Sequence, residues 1–127
     1  MKIVSLKSII NTERDVDWGN GTSRRLVVAS DNMGYSIHYT TTLAGTSSKL
    51  KYDNHLESCF VISGYGTIES YGKVYSLSPG DVYMLDNHDE HIISANNSED
   101  LITLCVFNPP CIGTENHNLN DDTPSGY

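Results

Sequence analysis

The chain has no paired-cysteine pattern, no long apolar run and little positive charge. Its three cysteines, Cys59, Cys105 and Cys111, are odd in number and show no C-x-x-C spacing. They exclude a disulfide framework and a structural zinc motif, and fit reduced thiols. Lysine and arginine number 8 against 16 aspartates and glutamates, a formal charge of −8. Such a surface does not grip an extended phosphate backbone, so no nucleic-acid partner is expected. A solvated acidic surface explains the balance, and adaptation to a salty cell interior is a second reading. No stretch approaches the ~20 apolar residues of a membrane-spanning helix. The opening MKIVSLKSIINTERD lacks the apolar centre of a signal peptide. The expectation is a cytoplasmic protein with no membrane partner.

Heptads, internal repeats and a long helical period are also missing. What is present is punctuation. Turn signals recur about every eight to twelve residues, at 64–66, 71–73, 78–81 and 96–100. Between them lie short runs rich in β-branched and aromatic residues, and this spacing predicts an all-β sandwich or barrel. At 127 residues the chain fits a single domain, residues 1–127, with a polar tail from about residue 113. A domain of this size often gains stability by pairing.

In chain order, residues 3–10 are apolar and read as an edge strand with a helical turn or as one short helix. Residues 12–20 read as a polar loop folding over something, followed by a strand over 25–29. Residues 31–34 predict a hairpin connection and 35–43 its returning strand. Alternation gives that strand one unusually polar face, His38, Thr40 and Thr42, either a solvent surface or the lining of a polar cavity. Strands are predicted over 50–52, 58–62 and 101–107, the last halted by Asn108, Pro109 and Pro110. The tail is expected to be ordered only by a ligand or a partner chain.

Chemistry concentrates in two stretches, NHLESCFVISGYG (54–66) and SPGDVYMLDNHDEH (78–91). The spacings Glu57 to Gly64, and Gly80 to Tyr83 to Asn87, resemble the paired motifs of the cupin superfamily, small β-barrels of jelly-roll type. A metal cupin carries a His-x-His pair before the Glu and a further His where this chain has Tyr83. The three-His, one-Glu set therefore cannot form. Glu57, Tyr83 and one of His55, His88 or His91 remain, a carboxylate, a phenolate and an imidazole that suit iron, manganese or zinc better than copper(I).

The segments TERD (12–15), TSRRL (22–26), AGT (44–46), NHLES (54–58), PGDVYMLDNHDEH (79–91) and CVFNPP (105–110) together resemble the ectoine synthase family, in matching order over nearly the whole chain. The resemblance implies a homodimeric iron-dependent lyase. Its small-molecule substrate is N-γ-acetyl-L-2,4-diaminobutyrate, cyclised with loss of water to ectoine, a compatible solute made under osmotic stress. It implies Fe2+ as cofactor, with Zn2+ or Mn2+ as alternatives, held by Glu57, Tyr83 and His91, and leaves His88 to orient a ligand. Glu115 and His117 match the family's acid/base pair. Arg24 is expected to grip the substrate carboxylate bidentately, helped by Ser23 and Thr40. Tyr52, His55, Cys105 and Phe107 are expected to form the rest of the pocket. Cys105 and Phe107 share one strand face, as core residues also would. The family carries a Trp where this chain has Gly21, and Trp18 is the candidate replacement.

Overall fold

The computed structural model describes residues 1–120 and 122–127. The opening apolar segment is one helical turn, α1 (Leu6–Ile9), capped where the Ser8 N–H donates to Ser5 Oγ at 3.2 Å. Asn11, at a φ of 64°, turns the chain out of it.

Ten antiparallel strands follow among the described residues: β1 (Asp15–Asp17), β2 (Gly21–Val27), β3 (Ser36–Thr42), β4 (Ser47–Leu50), β5 (Leu56–Ser63), β6 (Gly66–Ser70), β7 (Lys73–Leu77), β8 (Val82–Leu85), β9 (His91–Ala95) and β10 (Leu101–Asn108). They form a six-stranded sheet, β1-β2-β3-β10-β5-β8, and a four-stranded sheet, β4-β9-β6-β7. The apolar inner faces pack on each other. Leu50, Cys59, Val61, Ile68, Ile93 and Leu101 all belong to this core, each apolar side chain contributing roughly 1.5–3 kcal/mol by leaving water. The all-β barrel expected from the turn spacing is the architecture found.

Several boundaries differ from expectation. The strand expected over 25–29 is β2, which starts at Gly21 because pairing with β3 starts there, Gly21 lying opposite Thr42. The polar stretch before it contains β1, paired to β2 from Asp15 opposite Arg24. The strand expected over 50–52 is β4, ending at Leu50.

The tail, expected to take its order from a ligand or a partner chain, makes backbone bonds within its own chain. Leu50 and Ser125 form a parallel bridge. The Lys51 N–H donates to Ser125 O at 2.9 Å, and the Ser125 N–H donates to Lys49 O at 3.0 Å. Leu119 and Tyr127 pack on the core. The polar composition hid this because the anchoring bonds are made by the backbone.

Candidate active site

Between the sheets lies a cavity of about 40 Å³ lined by Trp18, Ser23, Arg25, His38, Thr40, Thr42, Leu50, Tyr52, Glu57, Tyr83, His91, Ile93, Thr103, Cys105, Phe107, His117 and Tyr127. A volume of that size holds about three waters. Strand alternation builds most of the wall: Ser23 and Arg25 from β2, His38, Thr40 and Thr42 from β3, and Thr103, Cys105 and Phe107 from β10 point the same way. The polar face of β3 is therefore a cavity lining. His38 also stacks on Phe107, ring centroids 4.6 Å apart.

Of the three expected metal ligands, all line this cavity. His91 Nδ1 lies 2.9 Å from the Asp89 carbonyl, which can only accept, so Nδ1 carries the proton and Nε2 keeps its lone pair. Burial holds this imidazole below its ordinary pKa and therefore neutral. Glu57 is 6% exposed, and burial pushes its carboxyl well above the usual range. Tyr83 is raised too, by burial and then by the neighbouring Cys59 and Glu57. A carboxyl and a phenol this deep ionise readily only beside a cation. With a neutral imidazole already oriented from behind, the donor set fits a divalent metal. The Glu57 carboxylate also lies within 4.8 Å of the thiols of Cys59 and Cys105. Cys59 S–H donates to Cys105 Sγ at 2.8 Å, which together with further hydrogen bonds holds Cys105 below the usual thiol range. His88 touches no ligand: its Nδ1 donates to the Tyr52 carbonyl at 2.8 Å and thereby fixes the residue that carries a cavity phenol.

Tyr52 Oη and His117 Nε2 are 2.9 Å apart, and His117 Nδ1 is 3.0 Å from Ser125 Oγ. Burial and the positive charge of Arg25 lower His117 to about 4, leaving a neutral imidazole near neutral pH. The guanidinium in the cavity belongs to Arg25, and this corrects the expectation for Arg24. Arg24 points to the other face of β2, where its Nε meets Asp15 Oδ1 at 3.3 Å. Arg25 is 0% exposed. It donates to Ser23 Oγ at 2.9 Å and to Gly113 O at 3.1 Å, and its Nη2 has no partner.

Two further expected site residues stand elsewhere. Neither Glu115 nor His55 lines the cavity. Glu115 turns back on its own segment, accepting the Ile112 N–H at 2.7 Å and the Gly113 N–H at 2.8 Å. Burial alone would raise its pKa, but these backbone donors and Arg25 hold it below the ordinary value. His55 Nδ1 donates to the Pro109 carbonyl at 2.6 Å.

A sequence model of the ectoine synthase family matches residues 1–125. The chain belongs to the ectoine synthase family. It is 44% identical over 126 residues to an L-ectoine synthase of Halalkalibacterium halodurans, covering 98% of this chain and 96% of that one. To the L-ectoine synthase of Shouchella clausii it is 49% identical over 126 residues, covering 98% and 92%. The crystal structure of an ectoine synthase from P. lautus superposes with a TM-score of 0.85 at 39% identity, over 91% of this chain and 83% of that chain. A cupin barrel domain from Salinispora arenicola shares the fold at a TM-score of 0.67 and 20% identity, covering 84% and 87%.

Trp18 lines the cavity as an aromatic wall. Its indole N–H donates to Thr41 O at 3.3 Å, and its ring meets His117 edge-on at 5.9 Å. Position 21 is closed to a side chain: at Gly21, with a φ of 149°, a Cβ would stand 1.8 Å from the Thr41 carbonyl oxygen. Sequence reasoning missed Arg25 and Tyr127 in this ectoine synthase family site. Alternation from Ser23 would have found Arg25, whereas Tyr127 reaches the cavity through a tail path with no periodic signal.

Proposed function

We propose that this cavity closes the ring of N-γ-acetyl-L-2,4-diaminobutyrate to give ectoine and water, as a cytoplasmic iron(II)-dependent lyase that makes a compatible solute under osmotic stress. The observation that carries the reading is the meeting, in one cavity, of a cation-seeking triad (Glu57, Tyr83, His91) with a buried guanidinium whose Nη2 is unpaired. The first suits a carbonyl oxygen and the second a carboxylate. Zn2+ and Mn2+ remain alternatives for the same ligands.

Iron(II) held by Glu57, Tyr83 and His91 would supply Lewis-acid polarisation of a carbonyl oxygen. The residues do the rest. Arg25 Nη2 grips the substrate carboxylate, with the hydroxyls of Ser23 and Thr40 beside it. Trp18 and Phe107 wall the carbon skeleton and exclude water, bringing the α-amine against the acetamide carbon. Such alignment is worth effective molarities of about 10⁵ M or more. As the carbon–nitrogen bond forms and the carbon–oxygen bond breaks, both amine protons must leave with the oxygen as water. His117 Nε2, neutral at working pH, accepts them one after the other, and the Tyr52 hydroxyl hydrogen-bonded to it delivers a proton to the departing oxygen each time, regaining its own from His117. Glu115 keeps the His117 segment in place by binding backbone N–H groups.

A second copy of the chain is the proposed partner. Phe60, Ile62, Val82 and Met84, on the outer face of β5 and β8, are 44%, 40%, 51% and 65% exposed. Phe60 lies opposite Val82 in the pairing, so these side chains form a continuous apolar patch at a sheet edge, where a homodimer would cover it. Among the described residues no helix is long and apolar enough to cross a membrane.

The test is product analysis with anaerobically iron-loaded protein and the acetylated diaminobutyrate. Ectoine formed by the wild type and lost in Glu57→Ala is expected. No ectoine from folded, iron-bound protein would move the reading to another amide substrate or to ligand binding without turnover.

A further inference from the structure

We propose that Cys59 and Cys105 are a hydroperoxide-oxidisable pair, which closes to a disulfide between β5 and β10 at the cavity wall and stops turnover until it is reduced. The two residues lie 46 positions apart in the sequence, yet their thiols meet, Cys59 S–H donating to Cys105 Sγ at 2.8 Å. All three cysteines are free, but the third is placed differently. Cys111 Sγ stands against the His55 ring, 3.9 Å from either nitrogen. Neither sulfur of the pair has a part in ring closure.

The backbone already sets the pair up for a bond. Cys59 lies directly opposite Cys105 in the antiparallel pairing of β5 with β10. Val61 donates its N–H to Asp81 O and accepts the Gly80 N–H, both at 2.9 Å, so its backbone polar groups point toward β8. Two residues along the strand, those of Cys59 point the same way. Facing β10, Cys59 therefore makes a non-hydrogen-bonded pair, the kind whose Cα atoms approach to about 4.5 Å. That separation falls within the roughly 4.4–6.8 Å that a disulfide spans. Bringing the sulfurs from 2.8 Å to the bonded distance of about 2.05 Å needs a movement of less than an ångström.

Hydrogen peroxide is the oxidant, and the cavity is its way in. Cys105 lines the cavity, whereas Cys59 is 0% exposed, so Cys105 meets the reagent first. Its sulfur attacks one peroxide oxygen and the O–O bond breaks. The released hydroxide leaves as water with the thiol proton, and a sulfenic acid remains. The Cys59 sulfur then attacks that sulfur, the S–O bond breaks, and the second hydroxide takes the Cys59 proton as water. One peroxide is thereby reduced to two waters as the two thiols are oxidised to one disulfide. The adjacent inward-facing pair of the same strands is Glu57 opposite Phe107, both in the cavity lining. A bridge one pair away fixes the separation and twist of the strands beside a proposed metal ligand.

The full chain is treated with hydrogen peroxide as wild type, Cys59→Val and Cys111→Ser, freed of peroxide, and then loaded anaerobically with iron(II) for product analysis. The wild type should lose two of its three thiols and the mass of two hydrogen atoms, and digestion should yield the peptides of Cys59 and Cys105 joined. Cys111→Ser should form the same bridge, and Cys59→Val should form none. Ectoine production, which rests on the ring-closure reading, should fall in the bridged proteins and return after dithiothreitol. Thiols that all survive, a cysteine that gains oxygen without a cross-link, or a bridge that involves Cys111 overturns the pair. If Cys59→Val fails to fold, a Cys111→Ser chain that forms no bridge does the same. A bridged protein that turns over as fast as the reduced one overturns the coupling of the pair to the site. Reduced protein that makes no ectoine refutes only the ring-closure reading, because the bridge is read by mass.

Discussion

Arg25 Nη2 and His38 Nε2 are the buried side-chain polar atoms left without partners among the described residues, and both residues line the cavity. An unpaired buried donor costs about 1–3 kcal/mol, a cost that a bound carboxylate removes. Arg25→Lys, which keeps the charge but loses the fork, should raise KM for the acetylated diaminobutyrate by about 10-fold or more. Arg24→Lys, altering a partly buried pair with Asp15 on the other face of β2, should leave KM within a factor of about two. Equal effects in steady-state kinetics would reject Arg25 as the carboxylate grip. Two histidines also set an acid limit. Burial, followed by Arg25, lowers His38 to about 2 and His117 to about 4, against an ordinary 6.5. Below pH 6.5 the unfolded chain therefore binds protons that the folded chain refuses. Stability is full above that value and falls as pH drops from 6.5 toward 4, by up to ~1.4 kcal/mol per pH unit for each histidine. Urea unfolding between pH 7 and 5 checks this, and a slope no shallower in His38→Asn than in the wild type would contradict it. The motifs made the residue types legible here. The choice between adjacent arginines was legible as well, since alternation along β2 puts Arg25, and not Arg24, on the face of Ser23.

At the scale of elements, β3 was the most legible piece. Its polar stripe of His38, Thr40 and Thr42 is evident from alternation alone, and only the presence of β10 and the opposite sheet decides that the stripe faces a cavity. The loop before β2 was less legible. Its one aromatic residue reaches the cavity because β1 pairs with β2 and delivers Trp18 at the strand's end, and a three-residue polar strand leaves little trace in composition. Glu115 shows a different limit. The motif suggested an acid/base group, yet two backbone N–H groups of its own turn capture the carboxylate, and such local capture depends on backbone angles. Gly113, at a φ of 110°, makes that turn.

The whole molecule is a barrel of two unequal sheets, and the spacing of its turns announced this, since each turn closes one short strand. The exposed apolar face of β5 and β8 was less visible, because an apolar alternation reads as core until one face proves exposed. Phe60→Asp combined with Val82→Asp should halve the mass measured by light scattering while leaving the β-rich circular dichroism intact. A wild type that is already monomeric would remove the dimer. The tail's return to β4 has a consequence of timing. The Lys51 N–H donates to Ser125 O and the Ser125 N–H to Lys49 O where the tail crosses the barrel, and the same tail brings His117 and Tyr127 to the cavity. The wall that the tail builds is therefore one that backbone exchange can time. Deuterium uptake at the Lys51 and Ser125 amides works as a clock on that wall, reading how often the tail parts from the barrel.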